Sequence, residues 1–179
     1  MRILSGQYKN FRLKYPSSGK MRPTKTNVKE SIFNILGDIK GKYILDLCCG
    51  TGQNGLEALS RGASHVTFVD IDVRYVVNNV RELATRDAFV ECFIKIKKKD
   101  CRRFISDSRK LKQVYDIVFF DPPWMMVDIY ENLLNAFYDF DIISKDGVIV
   151  CEHSKLMIIP IIKKNYQTYF YGNTGVTIF

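Results

Sequence analysis

Four consecutive residues, Asp121-Pro122-Pro123-Trp124, join an acid, a stiffly held carbonyl and the chain's single tryptophan. The run before them, Tyr115 to Phe120, reads as a buried strand, and the prolines end it, because proline lacks the N–H that a ladder needs. The acid therefore sits at a strand tip. The exocyclic amine of a nucleobase is a poor nucleophile, since its lone pair is delocalised into the ring. Two acceptors for its two hydrogens would aim that lone pair at an electrophile. Asp121 is one such acceptor and the Pro122 carbonyl is another. Trp124 offers a face for stacking the base, worth about 1–3 kcal/mol, and the base must leave any duplex to reach it. The competing reading is a proline-rich turn beside a core tryptophan.

A second constellation lies earlier. Gly50, Gly52 and Gly55 in "LDLCCGTGQNG" spell G-x-G-x-x-G between a strand and a helix. Asp70 ends the next strand, where an acid takes ribose hydroxyls. Asp46 stands at the mouth of the loop. A carboxylate there repels a pyrophosphate and attracts an amine and a sulfonium, both of which S-adenosylmethionine carries. The alternatives are Asp46 as a cap or turn residue and the glycines as a tight turn without a ligand. Asp100, closing "KKKDC", either accepts a hydrogen bond from the adenine amine or caps a helix before Arg102. The adjacent Cys48 and Cys49 read as small side chains under a nucleotide loop rather than as a redox pair.

These residues need a frame. The first fifteen residues read as a β-hairpin around "GQYKN", followed by the loop "PSSGKMRPTKT". Val28, Ile32, Phe33, Ile35 and Leu36 recur at helical spacing after Thr26 or Asn27 as a cap. Strands are then expected over 43–47, 65–69, 91–97 and 115–120, with a fifth inside 142–151. Helices are expected over 54–61, 75–86 and 129–138. Residues 154–160 carry a weak helical pattern, and "NYQTYFY" with "GVTIF" reads as a closing antiparallel pair. Alternating strands and helices imply a mostly parallel sheet covered on both faces, with ligands beyond the carboxyl ends of the strands. Asp46, Asp70, Asp100 and Asp121 all fall there.

Composition sets the bounds. At 179 residues the chain suits one compact unit, and its apolar fraction of 46% is ordinary for a globular protein. No run reaches the roughly 20 apolar residues of a membrane span, and the N-terminal segment lacks the apolar stretch of a signal peptide. Five cysteines without framework spacing imply reduced thiols and a cytoplasmic protein, and two distant histidines give no metal site. The net charge is +8, and residues 1–42 hold all of the excess, with ten Lys and Arg against two acids. A basic segment on a neutral body implies either a polyanion partner or a solvated face. Tyr8, Phe11 and Tyr15 interleave with the charges, which favours nucleic acid through stacking.

The motifs resemble the class I methyltransferases that carry (D/N)PP(Y/F/W). More narrowly, "MRILSGQYKNFRL", "MRPTKTNVKESIFNIL", "LDLCCGTGQNGLEALSRGA" and "YDIVFFDPPW" resemble, in that order, the RsmD family of bacterial guanine-N2 methyltransferases of 16S ribosomal RNA. "YFYGNTGVTIF" is similar to the family's closing hairpin. The resemblance implies a Rossmann-like α/β fold: a mostly parallel seven-stranded sheet, helices on both faces, a closing antiparallel pair and an N-terminal β-hairpin extension. It implies that residues 1–40 face RNA and cover the cofactor, while residues 41–179 form the methyltransferase core, in one compact unit. S-adenosylmethionine would be bound by Arg22, Thr24, Asp46, Cys48, Gly50, Gly52, Asn54, Asp70, Ile71, Asp100, Cys101 and Asp121. Asp121, Pro122, Pro123 and Trp124 would bind and activate the base, and Lys9, Arg12, Lys14, Arg22 and Trp124 would hold RNA. Cys48-Cys49 replaces the family's more usual aromatic and small residue, and Asn173 replaces a common Asp.

The expected activity is direct, metal-free transfer of a methyl group from S-adenosylmethionine to N2 of a guanine in 16S ribosomal RNA, within the small ribosomal subunit or its precursor, by a monomer with no membrane attachment. An adenine-N6 or cytosine-N4 methyltransferase is the nearest alternative, but 179 residues leave little room for a separate target-recognition domain. An NAD(P)-binding oxidoreductase is disfavoured by Asp46 and "DPPW". An inactive RNA-binding module is disfavoured by the intact acids and glycines.

Overall fold

The computed structural model describes residues 1–16, 24–111, 113–160 and 165–179, so Arg22 lies outside the described residues. The ordered elements are α1 (Thr26–Leu36), β1 (Tyr43–Leu47), α2 (Gln53–Ser60), β2 (His65–Asp70), α3 (Arg74–Ala84), β3 (Ile94–Lys98), α4 (Cys101–Leu111), β4 (Tyr115–Phe120), α5 (Val127–Asp139), β5 (Ile143–Ser154), β6 (Gln167–Tyr171) and β7 (Thr174–Ile178). The strands form a seven-stranded sheet in the order β3-β2-β1-β4-β5-β7-β6. The first five strands of that order are parallel, and β7 pairs antiparallel with both β5 and β6. This is the expected Rossmann-like α/β architecture.

The central strands β1 and β4 are apolar runs because both of their faces are covered. On one face Ile44, Ile117, Phe119 and Val150 pack with α1, α2, α3 and the N-terminal segment. On the other face Leu45, Leu47, Val118, Phe120, Ile149 and Cys151 pack with α4 and α5. The edge strand β3 turns Lys95, Lys97 and Lys98 to solvent, charges that discourage pairing with another chain.

Several expectations are corrected. The N-terminal hairpin is present but short, with an antiparallel bridge from Arg2 to Arg12 and cross-arm bonds from Ile3 N–H to the Phe11 carbonyl, Asn10 N–H to the Ile3 carbonyl and Leu13 N–H to the Met1 carbonyl. Four donors between its arms bond to α2: Leu4 and Ser5 N–H donate to the Glu57 carboxylate, Gln7 N–H to the Ser60 carbonyl and Tyr8 N–H to Ser60 Oγ. Gly6 allows this approach, since a Cβ there would lie 1.8 Å from the Ser60 oxygen. Helix α1 starts at Thr26 with Lys25 as its N-cap and no side-chain cap bond. The third strand begins at Ile94, because Val90–Phe93 is a turn of 3-10 helix. Residues 154–160 hold the end of β5 and a turn, not a helix. Helix α4 was not among the expected elements, although Cys101, Phe104, Ile105 and Ser108 are buried at helical spacing.

Candidate active site

The strand tips carry the acids. Side chains alternate between sheet faces, so Asp46, two residues after Ile44, shares the α1–α3 face with Asp121, two after Phe119, and Glu152, two after Val150. Their strands are neighbours in the order β1-β4-β5. Asp46 is 3% exposed and Glu152 8%, and Asp121 is half-buried.

Burial governs all three. It pushes the Asp46 carboxyl up to about 7, with the Asp70 charge adding to the rise and the Gly55 N–H opposing it. It pushes Asp121 well above the usual carboxylate range, helped by the charges of Glu152 and Asp46. It raises Glu152 too, against the hydrogen bond from Thr24. Like charges in a poorly hydrated space raise one another's proton affinity, and a ligand's positive charge and hydrogen-bond donors offset that rise.

The glycine loop is built by two of the acids. Asp46 Oδ2 accepts from Gly55 N–H at 2.8 Å, and Asp70 Oδ2 accepts from Gly50 N–H at 2.8 Å. Asp70 Oδ1 accepts from Asp72 N–H. A carboxylate has about four acceptor positions, so Asp70 retains capacity for a ligand. Gly50 and Gly52 take φ values of 53° and 76°. A Cβ on Gly52 would lie 2.6 Å from Val76 Cγ2, so this glycine is required by packing against α3 as well as by its backbone. Buried Asn79 ties the loop to the N-terminal segment, donating from Nδ2 to the Thr51 and Lys14 carbonyls and accepting from Lys14 N–H.

Asp100 takes the capping alternative. Its Oδ1 accepts from Arg102 and Arg103 N–H at the start of α4, and the carboxylate pairs with the Arg102 guanidinium, which holds it below its ordinary range. The Cys48 and Cys101 thiols influence each other, which raises the first and lowers the second. Exposed Ile71 lines a cleft of about 550 Å³ with Asp72, Arg74, Arg81 and Lys98 among others. That cleft lies beyond the tip of β2, apart from the Asp121 group.

The "DPPW" turn is fixed from below. Tyr130, 1% exposed, sets its hydroxyl 3.2 Å from the Pro122 carbonyl and 3.1 Å from the Glu152 carbonyl. One proton is shared between two acceptors, and the tips of β4 and β5 are thereby tied together. Pro122 is buried, Pro123 exposed and Trp124 half-buried. Thr24 Oγ1 donates to Glu152 Oε2 at 2.8 Å, so the chain entering α1 reaches the acid end of the site. Sequence reasoning passed over Tyr130 and Glu152. An acid inside the apolar run "VIVCEHS" was the available signal for Glu152.

The basic segment is divided. Lys9, Arg12 and Lys14 are exposed, and Lys14 pairs with Glu82 at 2.8 Å. Lys29 is buried instead, 3.1 Å from Glu57, and donates to the Arg2 carbonyl. Its charge is therefore unavailable to a partner. Phe11 is 1% exposed and cannot stack a base. Tyr8 is spent on Asp87, and Tyr15 is the exposed ring of the three.

Known proteins resemble this chain in sequence and in fold. The family described as conserved hypothetical protein 95 matches residues 1–179. YlbH of Bacillus subtilis, provisionally named an rRNA methyltransferase, is 33% identical over 100% of this chain and 98% of its own length. The ribosomal RNA small subunit methyltransferase D of Escherichia coli K12 is 29% identical over 93% of this chain and 81% of its own. Among solved structures, yhhF of Escherichia coli, provisionally titled a methyltransferase, superposes with a TM-score of 0.81 at 28% identity, covering 99% of this chain and 96% of that one.

Proposed function

Because the chain belongs to the conserved hypothetical protein 95 family, the RsmD-type methyltransferases, we propose that it methylates the N2 amine of a guanine in 16S ribosomal RNA with S-adenosylmethionine as the methyl donor. The observation that carries this reading is the Asp121 carboxyl beside the Pro122 carbonyl at the tip of β4, one strand from the glycine loop of β1. The relatives named as small-subunit rRNA methyltransferases support the choice of RNA.

The pocket suits the donor. Gln53 Oε1 and Asn54 Oδ1, which follow Gly52 directly, are buried without a hydrogen-bond partner among the described residues. Unfilled acceptors beside the buried Asp46 fit a ligand with an amine and a positive charge. Asp46, Gly50, Gly52, Asn54, Asp70 and Ile71 would hold it, with Cys48, Asp100 and Cys101 along the neighbouring tips and Thr24 on the chain entering α1; Arg22 is assigned by the family resemblance alone. When bound, S-adenosylmethionine supplies a methyl group on a sulfonium.

Asp121 and the Pro122 carbonyl accept the two N2 hydrogens and turn the nitrogen lone pair toward the loop, which is orientation rather than covalent catalysis. As the C–N bond forms and the S–C bond breaks, N2 becomes cationic and sheds a proton. Asp121 is next to it, and burial has raised that carboxyl's proton affinity. Trp124 supplies the stacking face. Asp121 must be ionised to accept, so turnover falls as pH drops through the titration of the Asp121–Glu152 pair. Residues 1–40 face the RNA in this reading, Lys9, Arg12 and Lys14 hold phosphates, and the protein acts in the cytoplasm.

The test is incubation with methyl-labelled S-adenosylmethionine and small ribosomal subunits from cells lacking the protein, followed by mapping of the labelled nucleotide. Label on N2 of one guanine is expected. Label on another base, or none on RNA, overturns the reading.

A further inference from the structure

The acids run across the sheet in a definite order, Asp46 on β1, Asp121 on β4 and Glu152 on β5. The reacting groups would run the same way, from the donor's sulfonium to N2 of the guanine and on to its ring N1. Cofactor binding and amine activation engage the first two acids and leave the third idle. Yet Glu152 is held as firmly as Asp121. Phe120 pairs with Cys151 in the parallel ladder, so Asp121 and Glu152 follow side by side. Thr24 fixes the Glu152 carboxylate at 2.8 Å, and the Tyr130 hydroxyl ties its backbone carbonyl to that of Pro122.

Base chemistry gives the third acid a task. Beside its exocyclic amine guanine presents N1–H, a donor. Adenine presents an unprotonated N1 beside N6, and cytosine an unprotonated N3 beside N4. A carboxylate next to the amine-binding acid welcomes guanine and repels the lone pair of the other two. We propose that Glu152 is the residue that selects guanine, accepting N1–H while Asp121 and the Pro122 carbonyl take the N2 hydrogens. This rests on the guanine-N2 reading above and adds to it the residue that enforces it. Thr24 then acts as a positioning residue, orienting the selecting carboxylate from the chain that enters α1.

The experiment compares two RNAs once the modified nucleotide has been mapped. One carries guanosine at that site and the other 2,6-diaminopurine riboside, which keeps the 2-amine but has an unprotonated N1. The full-length wild type should prefer guanosine by about 10–100-fold in kcat/KM, the range of one good base-edge contact. Glu152→Gln can offer its amide N–H to the bare N1. It should bring the ratio to within about 3-fold or invert it, mainly by improving the diaminopurine RNA. Its affinity for S-adenosylmethionine, read by calorimetry, should stay unchanged. A purely structural role for Glu152 would lower both rates together and leave the ratio alone. The wild-type comparison needs no variant, and equal rates on the two RNAs overturn the assignment even if the Gln variant fails to fold. A mapped base other than guanine overturns the function proposed above, whereas a mapped guanine with no discrimination overturns only the role of Glu152.

Discussion

Asp46 is an acid that the fold holds at a cost, and the cost can be measured. Its carboxyl titrates at about 7 in the folded protein, against an ordinary value of 3.8. The sign follows from linkage. A raised folded-state value means that the folded protein binds the proton more tightly than the unfolded chain does. Stability is then greatest below the unfolded value and declines as pH climbs to the folded one. The decline is about 1.4 kcal/mol per pH unit between about 4 and 7, on the order of 4 kcal/mol in all. Asp46→Asn removes the titration while keeping an oxygen for the Gly55 N–H. At pH 8 the variant should therefore be more stable than wild type by up to about 4 kcal/mol, or roughly 8–16 °C in Tm. At pH 3 the two should nearly coincide. Urea unfolding from pH 3 to 8, with calorimetry at pH 8, checks both halves. The same variant should bind S-adenosylmethionine about 10–100-fold more weakly, since a hydrogen bond to a charged group contributes about 1.5–3 kcal/mol. A stability difference that is flat with pH, or a variant less stable at pH 8, would refute the reasoning.

Three further outcomes are expected. Asp121→Ala should leave calorimetric binding of S-adenosylmethionine in place and lower methyl transfer to ribosomal subunits by about 10²–10⁴-fold; near wild-type turnover would remove its role. Glu57→Gln leaves the buried Lys29 without its counter-charge and should cost about 3–5 kcal/mol in urea unfolding at pH 7. Replacing Lys9, Arg12 and Lys14 together by Gln should flatten the salt dependence of RNA binding by about 0.7–0.9 for each phosphate that is no longer neutralised. Lys14 already shares its charge with Glu82, so about 2 units are expected with cofactor affinity unchanged, and an unaltered slope would make this a solvated face.

The parts legible in the sequence were those whose cause is local. Strands β1 and β4 are mostly apolar runs closed within three residues by Gly50 and Pro122, and "LDLCCGTGQNG" needs its positive φ values wherever the chain goes. What escaped was set by neighbours distant in the chain. Arg2 to Arg12 pairs as a short hairpin, but Leu4 and Ser5 N–H find their acceptor in Glu57, fifty-two residues from Ser5. Phe11 sits among basic residues and looked like a stacking ring, but the α2–α3 face covers it. Lys29 counted as surface charge, although its spacing from Ile32 and Phe33 puts it on the buried side of α1. In α4 the apolar spacing was diluted by Arg102 and Arg103. The placement of Glu152 beside Asp121 depends on which strand lies next to β4, which no local pattern states.

The Glu57 carboxylate, which gathers Leu4 and Ser5 N–H, the Lys29 ammonium and the Arg61 guanidinium, also sets a schedule. Residues 4 and 5 are translated before Glu57 and have no acceptor until it has been added and α2 has coiled behind it. At about 5–20 residues per second, that is an interval on the order of 3–10 s. For those seconds the most basic stretch of the chain lacks the acid that anchors it. The segment takes its folded place only when an acid from the interior arrives to hold it.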